Sequence, residues 1–388
     1  MRLKSHIYYM IELNLKFIIT IILLLLLGYF IRKNYFNIDG FNNIERPLPD
    51  LTNPFVHLYD DNGNKLNVVL ITQPLGSDDQ YRKYMENMAK ITFIGISSYM
   101  EFPHVPTNPE DNYKEEHFEQ ENFAYEYTTP YYLDMYFEMC KGWLHCFKHP
   151  EKYIPMDKPH ELISESDFVN YKQVPYDAEQ QREYDFLYSC PKVSETSTCD
   201  DWVSHNKNWE LAKKCLPVLC KKFKLKGLLV GRKDCELPEG CAEYITTTGW
   251  LDYGENIKQY NKCKFIFVPN QRDASPRVIT EAMSADCAVL INTNILGGWK
   301  YAVDETGALF NDENDIEEVL NKFIPKLNKG EYKARQYIID NYGPVNSGKR
   351  LKEFLFKNWG DKINIKENEC NYITMRGKLN GYDELRKT

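Results

Sequence analysis

Short apolar runs alternate with amphipathic segments along the second half of the chain. Each run holds four to six mostly apolar or β-branched residues, which predicts a buried strand. Between the runs the apolar positions follow helical spacing, most clearly over 202–223, where Pro217 should kink the helix. Continuous strands separated by helices predict a parallel sheet covered by helices on both faces. The predicted strands are 184–188, 225–230, 264–268 and 288–291, with a brief additional strand over 244–246.

The first half shows a weaker form of the same pattern. Residues 67–72 and 91–96 predict two more buried strands, with a helix over 79–90 between them. The segment 103–130 is polar and rich in proline and tyrosine, so it predicts a long loop. The helical spacing of 131–147 predicts an aromatic helix. Three further helices are predicted over 315–326, 332–342 and 348–359.

One apolar run near the N-terminus differs from these strands. Residues 17–31 carry no charge and are flanked by Lys16 and Arg32. As a helix they would be about 22 Å long, short of the ~30 Å hydrocarbon layer, but the flanking basic side chains can reach the interface. We predict an uncleaved single-span membrane anchor. A signal peptide, whose small-x-small cleavage site is missing here, and a buried helix are the alternatives.

Composition narrows the possible classes of protein. Apolar residues make up 43% of the 388, which excludes global disorder. The net charge of −8 argues against a sequence-independent nucleic-acid binder, which needs a basic face. The 11 cysteines have no framework spacing and no Asn-x-Ser/Thr sequon occurs, so both features favour a reducing, cytosol-facing location.

Candidate chemistry is concentrated where the strand over 264–268 leads into a helix. Ser275 is a good N-cap and Pro276 suits the first helical position, so free backbone N–H groups near Arg277 would face a phosphate. Glu281, farther along the helix, could accept hydrogen bonds from a ribose diol. Asp273, just outside the helix, could hold the hydroxyls of a second sugar. This layout suits a nucleotide sugar; the alternative is an ordinary capped helix with solvated acids.

The same residues carry a family resemblance. Asp273 and Glu281 are separated by seven residues, and Ala282-Met283 and a short strand follow. With Gly297-Gly298 farther on, this order resembles the signature of retaining GT-B glycosyltransferases of group 1, or family 4. The similarity covers roughly residues 183–325. We expect the nearest members among enzymes encoded by large DNA viruses.

The resemblance implies a GT-B fold, in which two Rossmann-like α/β domains face a cleft, here preceded by an N-terminal transmembrane helix. The family often has Glu-Gly-Phe-Gly where this chain has Asp-Ala-Ser-Pro at 273–276, so the backbone approach to the sugar should differ. The predicted parts are a membrane anchor (1–33), a stalk (34–58), an N-terminal acceptor domain (59–175), a C-terminal nucleotide-sugar domain (176–330) and C-terminal helices with a tail (331–388).

The resemblance also implies roles for individual residues. Asp273 and Lys207 would be catalytic, and Glu281 would hold the ribose. His104 is a candidate base on the acceptor side. No metal and no cofactor are implied, because basic side chains and the helix start would neutralise the diphosphate. The other implied donor ligands are Lys192, Arg232, Trp250, Ser275, Pro276 and Arg277.

We therefore predict a membrane-anchored, metal-independent glycosyltransferase. It would move a sugar from a nucleotide-sugar donor to a glycan, protein or lipid acceptor, with retention of configuration implied by the resemblance. Nucleic acid is not an expected partner. The first alternative is an inverting GT-B transferase of the fucosyl- or exostosin-like kind. The second is a catalytically inactive GT-B protein that binds glycans or has a structural role in the membrane.

Overall fold

The computed structural model describes residues 48–98, 102–103, 136–191 and 198–375. The predicted membrane anchor and most of the predicted stalk lie outside the described residues. Within the described ranges, no helix is both long enough and apolar enough to cross a membrane. These residues fold around two six-stranded sheets, each with its own hydrophobic core.

The first sheet has the strand order β12-β1-β2-β3-β4-β5. β1 pairs antiparallel with β12 and β2, whereas β2 to β5 are parallel. Helix α1 (Asp78–Asn87) joins β2 to β3, and Ser77 caps it by accepting a hydrogen bond from the Gln80 N–H. The strands are β1 (Phe55–Asp60), β2 (Lys65–Ile71), β3 (Thr92–Ile96), β4 (Trp143–Leu144), β5 (His160–Glu161) and β12 (Ile373–Met375).

The segment 131–147 is not one helix, contrary to the prediction from its spacing. Among its described residues, 136–139 are helical, whereas Trp143–Leu144 form β4 between β3 and β5. The Trp143 indole packs directly over Gly95 of β3, where a Cβ atom would come within 1.9 Å of the ring. Tertiary packing against a glycine therefore determines this strand, and helical spacing cannot reveal it.

The second sheet is entirely parallel, with the order β8-β7-β6-β9-β10-β11. Buried clusters cover both of its faces, as predicted. Its strands are β6 (Tyr184–Ser189), β7 (Gly227–Val230), β8 (Ile245–Thr247), β9 (Cys263–Val268), β10 (Ala288–Asn292) and β11 (Gly307–Phe310). Its helices are α2 (Trp202–Asn206), α3 (Trp209–Pro217), α4 (Tyr253–Tyr260), α5 (Arg277–Ser284) and α6 (Ile316–Asn328).

Two C-terminal helices, α7 (Ala334–Asn341) and α8 (Gly343–Trp359), follow the second sheet. The buried residues of α8, among them Leu351 and Leu355, pack in one cluster with Leu58 and Ile94 of the first sheet. The chain thus returns to its first domain. The two Rossmann-like domains of the predicted fold class are both present.

The cysteines divide into one pair and nine buried thiols. Cys199 and Cys235 form a disulfide with a Cα–Cα distance of 5.7 Å, although they are 36 positions apart in the sequence. The absence of a framework spacing, which favoured a reducing location, did not reveal this pair. The sequence could not show it, because the two residues meet only when the loops after β6 and β7 come together.

Candidate functional site

The strand order of the second sheet locates its ligand crevice. Counted from its first strand, the order is 3-2-1-4-5-6, which reverses direction between β6 and β9. In such sheets, ligands bind beyond the carboxyl ends of the strands at this reversal. The loop after β9, residues 269–276, runs from that point into α5. It holds three of the residues that the sequence singled out, Asp273, Ser275 and Pro276.

The two predicted catalytic residues meet in this crevice. Lys207 Nζ donates a hydrogen bond to the Asp273 carboxylate, and the two side chains are 21% and 12% exposed. Asn270 Nδ2 donates to the same Asp273 oxygen at 3.0 Å. The Asp273 carboxylate is therefore oriented from two sides, and a fixed positive charge lies beside it.

The position of Lys207 depends on its neighbour Asn208. Asn208 has a left-handed backbone with φ of 56° and starts α3, where its side-chain oxygen accepts a hydrogen bond from the Leu211 N–H. Its side-chain nitrogen donates to the Pro269 carbonyl at 3.1 Å. The Tyr188 hydroxyl donates to the Lys207 carbonyl, also at 3.1 Å. These contacts join the turn between α2 and α3 to the loop after β9.

Helix α5 begins one residue later than predicted. Pro276 occupies the N-cap position, and no side chain caps the helix. The Ser275 hydroxyl is used elsewhere, because it accepts a hydrogen bond at 3.0 Å from the backbone N–H of Ser166. The prediction of Ser275 as N-cap is therefore wrong. The backbone N–H groups of Arg277 and Val278 still have no acceptor within the helix, so the helix start keeps its capacity to bind an anion.

Glu281 lies in the second turn of α5 and is buried, with 5% exposure. Its carboxylate accepts a hydrogen bond from the Tyr260 hydroxyl at 3.3 Å. Burial and the adjacent Glu281 charge raise the pKa of Tyr260 well above its usual range, so Tyr260 stays a donor. Asn256 Nδ2 in turn donates to the Tyr260 oxygen at 3.2 Å. Glu281 is therefore held in place from α4.

The structure places the other predicted donor ligands differently. Arg277 is exposed at the start of α5, and Trp250 is 65% exposed in the loop between β8 and α4. Arg232 is fully buried, where it donates to the carbonyls of Cys190 and Cys199. It also packs 5.5 Å from the Trp209 ring. Arg232 thus supports the walls of the crevice, and contact with substrate stays a prediction for it.

Two predicted residues, Lys192 and His104, lie outside the described residues. Among the described residues, no group of three or more His, Cys, Asp or Glu side chains is arranged to hold a metal ion. Metal independence stays a prediction.

Sequence reasoning missed His145, which follows β4 at the carboxyl end of the first sheet. The side chain is buried, and its Nδ1 atom has no hydrogen-bond partner within the described part of the chain. Burial, with smaller contributions from His160 and Lys300, lowers its pKa to about 3, so the ring is neutral at physiological pH. The sequence did not show that His145 follows a strand, because a strand of two residues has almost no recognisable pattern.

Glu165 was also missed. It begins a 3₁₀ helix, Glu165–Phe168, and Arg277 lies close enough to affect its charge. Burial raises the pKa of Glu165 to about 7, and the Arg277 charge opposes that rise. A carboxyl group that titrates near neutrality therefore lies near the start of α5.

Two Rossmann-like sheets, with charged side chains and a helix start gathered at the switch point of the second, define a protein of the GT-B class. A family comparison makes this more specific, since residues 201–328 match the family described as Glycosyl transferases group 1. The match over this segment bears out the predicted resemblance. The expected viral relatives are not addressed by the comparisons.

Among solved structures, TarM supports this fold. TarM has a TM-score of 0.51 and 14% identity over 75% of this chain, which spans 54% of TarM, about half its length. Sucrose-phosphate synthase from Thermosynechococcus elongatus has a TM-score of 0.48 and 11% identity, over 71% of this chain and 69% of its own. Anabaena HepE, solved with UDP and glucose, has a TM-score of 0.48 and 11% identity, over 74% and 78%. No curated protein sequence matches the chain.

Proposed function

We propose that the protein is a glycosyltransferase that moves a sugar from a nucleotide-sugar donor to a glycan, protein or lipid acceptor. One observation carries the proposal: the ion pair between Lys207 and Asp273 lies in the switch-point crevice, in the loop that leads to the start of α5. A helix start and a lysine suit a diphosphate, and a fixed carboxylate suits sugar hydroxyls. The group 1 family match supports the same reaction.

During transfer, the anomeric carbon loses its bond to the diphosphate oxygen and gains one to the acceptor oxygen, whose proton passes to the departing diphosphate. Negative charge grows on the diphosphate as its bond to the sugar breaks. The first backbone N–H groups of α5, Arg277 and Lys207 would stabilise that charge. Asp273 would hold the sugar ring, and Glu281 the ribose. We propose retention of configuration, on the family resemblance, and membrane anchoring through residues 1–33.

The first experiment is a release assay for nucleoside diphosphate with UDP-, GDP- and ADP-sugars, using the full chain in detergent. One donor should give turnover that Asp273→Asn abolishes. The matched control is Asp185→Asn. Asp185 pairs with Lys264 at 2.8 Å near the amino-terminal ends of β6 and β9, away from the crevice. Turnover should survive excess EDTA, since no metal is invoked. Tight binding without turnover would favour the inactive, glycan-binding alternative, and inverted product would favour the inverting one.

A further inference from the structure

A buried group of charged and hydroxyl side chains lies behind the start of α5. We call Ser164, Ser166, Asp167, Lys300 and Tyr301 the Asp167 cluster. The Asp167 side chain is fully buried and the Lys300 side chain is 6% exposed, with Nζ 2.8 Å from the carboxylate. The Tyr301 hydroxyl donates to the same carboxylate. Asp167 also accepts from the Ser164 N–H at 3.2 Å.

The cluster joins three separate parts of the chain. Asp167 belongs to the 3₁₀ helix that follows β5, at the exit from the first sheet. Lys300 lies in a 3₁₀ turn after β10 of the second sheet. Helix α8 completes the contact, because Ser347 Oγ donates to the Asp167 carbonyl at 2.7 Å and Arg350 Nη2 approaches the carboxylate at 3.4 Å. The two domains and the returning helix are therefore held together at one carboxylate.

A short chain of hydroxyl groups links the Asp167 carboxylate to the loop after β9, residues 269–276, which we call the donor loop. The Tyr301 hydroxyl is 2.9 Å from Ser166 Oγ, which is 3.2 Å from Ser275 Oγ. The Ser166 N–H also donates to Ser275 Oγ at 3.0 Å. Ser275 immediately precedes Pro276 and α5. The position of the helix start is thus connected to the charge pair through two hydroxyl groups.

A gain in fold stability would not by itself explain the buried ion pair of Asp167 with Lys300. Two buried charges lose their hydration, and well-packed apolar side chains of similar size often stabilise a fold as much or more. Burial lowers the pKa of Lys300, which shows this loss of hydration, although Asp167 opposes the effect. An ion pair with several hydrogen bonds fixes the orientation of its side chains better than an apolar contact does.

We propose that Asp167 is a positioning residue for the donor. Through Tyr301 and Ser166 it sets the place of Ser275 and of the first N–H groups of α5, so that the diphosphate meets them in one geometry. This inference rests on the proposed function. It predicts that the cluster controls donor affinity separately from fold stability.

The test separates these two effects with a pair of variants. Asp167→Asn leaves Lys300 buried without its counter-charge, so it should lower the melting temperature. Asp167→Asn combined with Lys300→Met removes both charges, so its melting temperature should return close to that of the parent. Both proteins should bind UDP or GDP, whichever the parent binds, at least tenfold more weakly. The KM for the donor should rise more than kcat falls. Asp185→Asn with Lys264→Met is the control pair and should leave nucleotide affinity unchanged.

Ser166→Ala keeps both charges and removes one hydroxyl of the chain. It should fold normally and raise the dissociation constant about threefold, which tests the inference even where the charge variants fold poorly. If Ser166→Ala and the stable double variant bind nucleotide like the parent, the cluster only stabilises the fold and the inference is overturned. If the parent itself binds none of UDP, GDP or ADP, the proposed function fails first, and the inference fails with it.

Discussion

At the scale of single residues, the crevice depends on a positive and a negative charge held side by side. The ion pair of Lys207 with Asp273 is partly shielded from water, and each charge holds the other in a fixed orientation. Glu281 lies deeper and is oriented by a tyrosine. The two carboxylates therefore differ in surroundings, which suits one of them to the reacting sugar and the other to the nucleotide.

This difference predicts that substitution of Asp273 mainly lowers turnover, whereas substitution of Glu281 mainly lowers nucleotide affinity. Asp273→Asn should lower turnover at least 100-fold and change the affinity for nucleoside diphosphate less than threefold, because the proposed role of Asp273 is to hold the reacting sugar. Glu281→Gln should cost ~1–2 kcal/mol of nucleotide affinity, because its hydrogen bonds to the ribose become neutral. Calorimetric titration and initial rates measure both effects, with Asp185→Asn as control. Unchanged nucleotide affinity in Glu281→Gln would remove Glu281 from the site.

Glu165 predicts a dependence of stability on pH. Its pKa rises from 4.5 to about 7 on folding, so the folded state favours the neutral acid. The parent should lose stability from this group as pH rises through that interval, and the loss is complete above about pH 7. Glu165→Gln should therefore raise the melting temperature by about 2 °C at pH 8.

The same substitution should have almost no effect at pH 4.5, where the parent carboxyl group is already mostly protonated when folded. Scanning calorimetry at both pH values measures the difference, and Glu179→Gln, on the exposed surface, is the control. An equal shift at both pH values would show that the effect is not the titration of Glu165.

At the scale of elements, sequence pattern was reliable where burial alone decides the structure. The strands β7, β9 and β10 are buried along most of their length and β6 is buried at its centre, so uninterrupted apolar runs predicted them. β4, β5 and β12 have two or three residues each, too few to show a period. Their positions follow from contacts such as that of Trp143 with Gly95, which only the folded chain makes.

The candidate site shows the same limit. The spacing of Asp273 and Glu281 is local and could be found in the sequence. The partner of Ser275 could not, because Ser166 is 109 residues away, in the 3₁₀ helix that follows β5. Competition from this distant N–H removed Ser275 from the capping position that its local sequence favours.

The loop between β10 and its 3₁₀ turn fixes the donor loop by close backbone contact. The Gly297 N–H donates to the Asp273 carbonyl at 2.9 Å, and a Cβ atom at Gly297 would lie 1.9 Å from the Ala274 carbonyl oxygen. Gly297→Ala must therefore push the two loops apart. We expect a loss of ~1–3 kcal/mol in stability and weaker nucleotide binding, measured by denaturant unfolding and titration.

Gly76→Ala is the control for that change, because a Cβ atom there would meet only the Gln80 side chain at 3.9 Å. It should alter neither quantity by more than the error. Normal nucleotide affinity in Gly297→Ala would show that the donor loop tolerates displacement, contrary to the role assigned to its backbone.

At the scale of the whole molecule, two features bear in opposite directions on which side of a membrane the domains face. The absence of sequons favours the cytosol. The disulfide between Cys199 and Cys235 is of a kind that persists mainly in oxidising compartments. Nine further cysteines are buried thiols, which either environment permits.

We keep the cytosol-facing orientation as the prediction and expect three outcomes. Alkaline carbonate should leave the full chain in the membrane pellet, because residues 17–31 are uncharged and apolar. Protease added to sealed vesicles should digest everything after residue 34. Cys199 and Cys235 should react with an alkylating agent when membranes are denatured in its presence without added reductant. The reason is that thiol reductants in the cytosol would keep this pair reduced. Protection from protease, together with alkylation only after added reductant, would reverse the orientation and leave the glycosyltransferase proposal intact.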